Sequence, residues 1–510
     1  MSAVAPVGGA GDGHSEPSLR LGALLAGGSL LGGLLAGQLV ASGHGSAVFG
    51  LAALVLPFFL WRRPEFGPTV LLVAGLLIEQ FPYTVGARAG AATSQIPLFH
   101  GTGGLHISPA DILIALMLGI YVAKMGLASV RPLPRTPTAK AMYCVAGVVL
   151  YGVVLGRLHG GQLRVAMTEV RPYFYLVATF VLASVLVTTR AAVRAALWAV
   201  VISVAFKAGQ ALYLFMSVRH MAVRPDAVLG HEEALFFTLF FLLTLSLWLF
   251  DVPGTLRRTA TWLTPFVLLG DLSNTRRAAW LVLGVGVIAL LAVSYAALPT
   301  RRRVAGRILV TLLLVCSVYM PLYWNKSGGL AQPARAIHSA IQPNRRDQSS
   351  DLYRIQEDEN IWFNIRQGKV IGRGFGVPIN YALPIEDISD IDPLITYIPH
   401  NGVLYILMRM GILGAVVWWS MLGLSIVFAC RLARVADREL AAIGGLAAAM
   451  LVAYAFEGHT DQGFFFYRIA FVMGTLLGLA EAARRMARPE TRSLAPDHSP
   501  VPTPSPVVER

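Results

Sequence analysis

Residues 273–303 begin Ser273-Asn274-Thr275-Arg276-Arg277, continue as AAWLVLGVGVIALLAVSYAAL from Ala278 to Leu298, and end Pro299-Thr300-Arg301-Arg302-Arg303. The central run holds no charge and has an arginine cluster at each end. About 20 such residues, rising about 1.5 Å each, cross a hydrocarbon layer of about 30 Å. The stretch therefore reads as a membrane-spanning helix, and it decides how the rest of the chain is read.

Comparable runs lie on both sides of it. Before it they fall near Leu21–Val40, Ala47–Trp61, Pro68–Gln80, Pro109–Met125, Ala141–Gly156, Pro172–Val187, Ala195–Met216, Ala234–Phe250 and Thr259–Asp271. After it come Ile308–Trp324, Gly402–Cys430, Leu440–Phe456 and Phe464–Ala482. The third and ninth are short, so the expectation is an all-α, polytopic transmembrane helix bundle of about 12–14 spans. Composition agrees. The 510 residues are 55% hydrophobic and 14% charged, against about 25% charged in an ordinary soluble domain. This excludes a soluble globular enzyme and a disordered scaffold. A β-barrel is excluded because its strands alternate apolar and polar residues, whereas these runs are continuous. Cys144, Cys316 and Cys430 all fall in apolar runs and are expected to be buried small hydrophobes.

Charge sets the topology. Lys+Arg is 42 and Asp+Glu is 28, a net charge of +14. In a membrane protein such an excess belongs first to the cytoplasmic loops. With the N-terminus inside, alternation places Arg62-Arg63, Lys124 to Lys140, Arg190 and Arg194, Arg257-Arg258, Arg301 to Arg307, Arg431 to Arg438 and Arg484-Arg485 in those loops. The expected organisation follows. Residues 1–20 form a disordered cytoplasmic N-terminus without the basic start of a cleavable signal, and 21–324 hold transmembrane helices 1–11. Residues 325–399 form one large extracytoplasmic loop, 400–483 hold helices 12–14, and 484–510 form a disordered cytoplasmic tail. Within the loop, Ser349–Gln367 reads as an amphipathic helix with Ile355, Ile361, Trp362 and Ile365 near helical spacing, interrupted by Glu359 and Asn360.

Orientation does not account for the arginines left outside: Arg157, Arg164 and Arg171, Arg219 and Arg224, Arg276-Arg277, and Arg345, Arg346, Arg354, Arg366 and Arg373. Snorkelling to headgroups explains an isolated one. As a set they suit a diphosphate, which guanidinium groups clamp by paired hydrogen bonds. His400 stands where the large loop meets the twelfth span. Asn401 beside it is a good N-cap, and the helix dipole there favours a neutral imidazole able to take a proton. A headgroup-facing or capping histidine is the plainer alternative.

Three pieces in order resemble the O-antigen ligase and polymerase superfamily. They are Ser273-Asn274-Thr275-Arg276-Arg277-Ala278, then Tyr353-Arg354-Ile355-Gln356-Glu357 with Val370-Ile371-Gly372-Arg373-Gly374-Phe375-Gly376, and then His400-Asn401 with Leu404, Leu407, Gly411 and Gly414. The resemblance implies a membrane glycosyltransferase acting at the outer face of the bacterial cytoplasmic (inner) membrane. Its partners would be an undecaprenyl-diphosphate-linked saccharide, a glycan or glycolipid acceptor and membrane lipids, with no nucleic acid and no cofactor or metal. Arg276 or Arg277, with Arg354 and Arg224, would bind the diphosphate, and His400 would activate the acceptor hydroxyl. Glu357 either positions the acceptor or pairs with Arg354. Gly372, Gly374 and Gly376, with Asn401, would shape the loop so that backbone approaches a sugar or phosphate. Ligase and polymerase both stay open. The rival class is a flippase of lipid-linked saccharides, whose site would lie near the bilayer midplane on broken helices.

Overall fold

The computed structural model describes residues 55–80, 84–85, 88–89, 92–101, 107–127, 129–221, 227–326, 328–343, 345–368, 370–388 and 394–487. The expected N-terminal tail, the first span, the start of the second and Arg224 lie outside these residues, as does the tail beyond 487. Among the described residues, 55–62 are helical and fourteen further helices follow: α1 Gly67–Leu77, α2 Pro109–Gly126, α3 Pro137–Leu158, α4 Leu163–Leu186, α5 Arg190–Val218, α6 Glu233–Leu249 and α7 Thr255–Asn274, then α8 Arg277–Ala297, α9 Arg302–Tyr323, α10 Gln332–Ile341, α11 Arg345–Gln367, α12 Gly402–Leu432, α13 Arg438–Thr460 and α14 Tyr467–Ala487. Local chemistry starts many of them. Ser108 and Asp111 form a reciprocal capping box on α2, Thr136 and Thr189 cap α3 and α5, and Asp437 caps α13.

Among the described residues eight helices are long and apolar enough to cross a membrane: α2, α3, α4, α5, α8, α9, α12 and α13. The chain is a polytopic helical membrane bundle. α1 and α6 are apolar but shorter. α7 and α14 have membrane length but carry charge: Arg257, Arg258 and Asp271 in α7, and Arg468, Glu481, Arg484 and Arg485 in α14. α14 is buried along most of its length, whereas α7 buries one side and leaves Trp262, Phe266 and Leu269 exposed. α14 also continues through Arg484 and Arg485 to Ala487, so the helix takes in the first residues of the expected disordered tail.

Two devices close the bundle. α14 packs most extensively against α4, and small residues permit the approach: a Cβ on Gly474 would lie 2.1 Å from Thr179 Oγ1, and one on Gly478 2.5 Å from Ala183 Cβ. Deeper in, Arg468 of α14 makes two 2.8 Å bonds to the Glu233 carboxylate and reaches the Gly75 and Leu76 carbonyls of α1 at 2.9 Å. Lys207 of α5 joins by pairing with Glu79 and lying 3.4 Å from Glu233. Charges inside a membrane protein persist when mutually paired in this way. α9 is the outlier. Only Ala305 of its residues is buried, and its neighbours are α8 and α10. Cys316 on α9 and Cys144 on α3 are exposed, and Cys430 is half-buried. The expected burial of the first two is corrected, because an apolar run in a membrane helix includes a lipid-facing side.

α8 runs from Arg277 to the end bearing Arg301–Arg303, and α9 returns, so the long loop and the 273–277 hairpin share one end of the bundle. The basic residues expected inside gather at the opposite end. There Asp251 receives Arg257 at 3.1 Å, Arg301 at 2.5 Å and Arg438 at 2.8 Å. The loop helix α11 encloses the expected Ser349–Gln367 helix, but it buries a different face. Ile361 and Ile365 point inward with Glu357, Asn360 and Asn364, whereas Ile355 and Trp362 are exposed. The two asparagines explain this. Asn360 Oδ1 accepts from Ala382 and Leu383 N–H at 2.7 and 2.8 Å, and Asn364 donates to Asn380 O at 2.8 Å, fastening the returning loop.

Candidate active site

At the loop end lies a cavity of about 880 Å³, within the range of roughly 300–1,000 Å³ usual for ligand sites. Its walls are the end of α5, the α7–α8 hairpin, α10, α11, the start of α12 and the residues after α13. Arg276, Arg277, Arg354 and His400 all line it, and so do His231 and Asp461.

The hairpin is a sharp device. α7 ends at Asn274, Thr275 adopts a left-handed conformation (φ 59°), and Arg276 is the extended N-cap of α8. The buried Asn274 side chain accepts from Leu229 N–H at 2.9 Å and ties the 227–232 loop to the hairpin. Arg276 Nε is buried and meets no hydrogen-bond partner among the described residues. Burial lowers its pKa, while the charge of Asp461 and then of Glu232 and Glu233 opposes that shift from beyond ion-pair distance. A guanidinium so placed, at the positive end of α8, is poised for an anion. Arg277 lines the same cavity, so the hairpin presents both arginines rather than one.

Arg354 stands on α11 with one Nη donating to the Thr460 carbonyl at 2.8 Å. Glu357, one turn on, does not pair with it. Glu357 instead accepts from His400 backbone N–H at 2.9 Å and holds His400 Nδ1 3.2 Å from each carboxylate oxygen. This corrects the expected Arg354–Glu357 pairing, because Glu357 turns toward the buried side of α11, under the histidine. It also changes the expected electrostatics of His400. Burial acts to lower its pKa, but the hydrogen bond and charge of Glu357 outweigh burial and raise it. With Nδ1 committed to a carboxylate, the Nε2 edge of the ring remains for the cavity. Asn401 keeps its expected place as N-cap, accepting from Val403 and Leu404 N–H at 3.1 and 3.2 Å, and it donates to Asp358 at 3.2 Å.

The glycine turn does not line this cavity. Gly372, Gly374 and Gly376 all have φ of +80°, so the need for glycine holds, but what approaches them is the protein's own backbone. α12 breaks at Gly411 (φ 65°, ψ −164°), and the turn threads the break: Arg373 N–H donates to Met408 O, Gly374 N–H to Arg409 O, and Ile412 N–H to Val370 O. Carbonyls and amides freed by the broken helix are satisfied there. Arg409, fully buried, locks the turn by donating to Gly374 and Val377 carbonyls and pairing with Glu169 of α4 at 2.6 Å. Sequence reading passed over Arg409, although a charge inside an apolar span is itself a signal. A Cβ on Gly374 would lie 2.0 Å from the backbone nitrogen of Gly156. Gly374→Ala is therefore expected to destabilise the folded protein by about 1–3 kcal/mol or more, read as a lower thermal midpoint in detergent. An unchanged midpoint would refute the packing role.

The second residue pair that sequence reading missed is His231 Nδ1 with Asp461 Oδ2, 2.7 Å apart. The two lie 230 positions apart, and no local pattern joins them.

Fold and cavity together define a polytopic membrane protein with a cationic, histidine-bearing site at one end of its bundle. Residues 259–419 match the family model described as O-antigen ligase (Wzy_C), so this third of the chain is similar to that family. The matched stretch runs from α7 into α12 and contains Arg276, Arg277, Arg354 and His400. No curated protein matches the chain.

Proposed function

We propose that the protein is a glycosyltransferase that moves or polymerises saccharide from an undecaprenyl-diphosphate-linked donor onto a hydroxyl of a glycan or glycolipid. Its cavity faces outward from the bacterial cytoplasmic membrane, with the basic end of the bundle in the cytoplasm. The observation that carries this reading is the pairing, in one cavity, of an arginine whose buried Nε has no hydrogen-bond partner among the described residues with a histidine–carboxylate dyad. Arg276, Arg277 and Arg354 hold the diphosphate and stabilise it as it departs. The acceptor oxygen attacks the anomeric carbon, the bond from that carbon to the diphosphate oxygen breaks with its electron pair going to the diphosphate, and His400 Nε2 takes the hydroxyl proton. In-line attack inverts the anomeric configuration. The buried charges of α5, α6 and α14 are paired with one another, which favours an enzyme over a flippase.

The test is purified protein with a defined lipid-diphosphate saccharide and acceptor. One new glycosidic bond per polyprenyl diphosphate released is expected. Movement of the intact donor between leaflets without bond formation would overturn the reading. Glu357 supplies a second check. It raises the His400 pKa, so Glu357→Gln lowers it, and the acidic limb of the kcat profile is expected to move to lower pH. The plateau should fall about 10- to 100-fold, as catalytic proton acceptors lose driving force when less basic. An unmoved limb would remove Glu357 from the mechanism.

A further inference from the structure

His231 precedes α6, outside the stretch that matches the ligase family, and so does its partner Asp461, which follows α13. The pair repeats the arrangement of His400 and Glu357 on another wall of the cavity. Asp461 is held on both oxygens: Oδ2 faces His231 Nδ1 at 2.7 Å, and Oδ1 accepts from Gln462 N–H at 2.8 Å. The carboxylate side chain is 9% exposed and the imidazole 43% exposed, so the anchor is buried and the ring is open to the cavity. Phe466 stacks on the ring, with centroids 6.2 Å apart at 22°. With Nδ1 bound to Asp461, Nε2 is the nitrogen left for a ligand.

The supports of His231 are also the supports of the arginines. Asn274, two residues before Arg276, fixes the His231 loop through Leu229 N–H at 2.9 Å. Thr460, immediately before Asp461, fixes Arg354 through its carbonyl at 2.8 Å. A group tied to both arginines through single residues serves the ligand the arginines serve.

We infer that His231 is a further ligand of the donor diphosphate, with its Nδ1 held by Asp461 while Nε2–H donates to a non-bridging phosphate oxygen alongside Arg276, Arg277 and Arg354. This assignment rests on the glycosyl-transfer reading above. His400 remains the proton acceptor. The segment that matches the family thus supplies three arginines and a base, and residues flanking it complete the anion site.

The experiment uses the full-length protein in detergent with a lipid-diphosphate saccharide donor, and separately measures binding of inorganic diphosphate. In His231→Ala the donor KM is expected to rise about tenfold or more, the effect of losing one hydrogen bond to a charged group. The kcat should change less than about threefold, and the dissociation constant for inorganic diphosphate should rise by the same factor as KM. Asp461→Asn should behave alike, and His231→Gln, which keeps an N–H donor, should recover most of both. Unchanged KM and diphosphate affinity in His231→Ala would overturn the assignment, and so would a fall in kcat at constant KM. If the alanine variant does not fold, His231→Gln and Asp461→Asn decide by the same two readouts. A wild-type protein that binds diphosphate through His231 but forms no glycosidic bond would sink the glycosyl-transfer reading and leave the anion site standing.

Discussion

His400→Ala is expected to lower kcat by about 100- to 10,000-fold, the usual contribution of a positioned proton acceptor. The donor KM should stay nearly constant. Arg276, Arg277 and Arg354 are carried by the α7–α8 hairpin and by α11, and none of them hydrogen-bonds the imidazole among the described contacts. The loop should also keep its path, because the bond from residue 400 to Glu357 at 2.9 Å comes from backbone N–H and survives the substitution. The loss is therefore chemical rather than architectural. His400→Gln, which restores bulk but no basic nitrogen, should be equally inactive. Wild-type product yield from either variant, at matched protein level, would dismiss His400 as the base.

Arg276→Met is expected to separate activity from stability. The guanidinium Nε is buried without a hydrogen-bond partner among the described residues, and a buried polar group left unsatisfied is destabilising. Methionine keeps much of the length and removes that group. The expected result is a fall in kcat/KM of about 100- to 1,000-fold, as for loss of one donor that stabilises developing negative charge. Resistance to thermal unfolding should rise by about 0.5–2 kcal/mol, the usual scale for relaxing a functional strain. A residue with a purely structural role would show the reverse, a lower midpoint with activity following it. The two readouts on one variant therefore discriminate.

Helices that face lipid were legible because one property, a continuous apolar run, both defines them and is visible locally: Ala278–Leu298 corresponds closely to α8. α14 was harder to classify, since Arg468 and Glu481 are tolerated only because other helices pair with them, and those partners lie far away in the chain. The site divided in the same way. Arg276, Arg354 and His400 could be named from motifs in order, and all three line one cavity. For Glu357 the sequence offers acceptor positioning or a pair with Arg354, its helical neighbour, whereas the hydrogen bond it makes is to His400, 43 positions later. For Gly372 to Gly376 the positive φ could be foreseen. That Gly156 and the break at Gly411 would occupy the space could not, because a glycine pattern records close approach and not what approaches. His231 and Asp461 left no pattern at all.

The ion pairs of Arg468 impose an order on biosynthesis. Glu233 enters the membrane with α6, roughly midway through translation, while its strongest partner arrives on the last helix. Until α14 inserts, one acidic side chain in the bundle lacks its arginine, the carbonyls of Gly75 and Leu76 lack their donor, and α4 exposes the groove that Gly474 and Gly478 later fill. A ribosome that stalls before residue 468 therefore leaves a chain that already contains Arg276, Arg354 and His400 but cannot close around them. Closure of the bundle thus depends on α14, the last of the described helices.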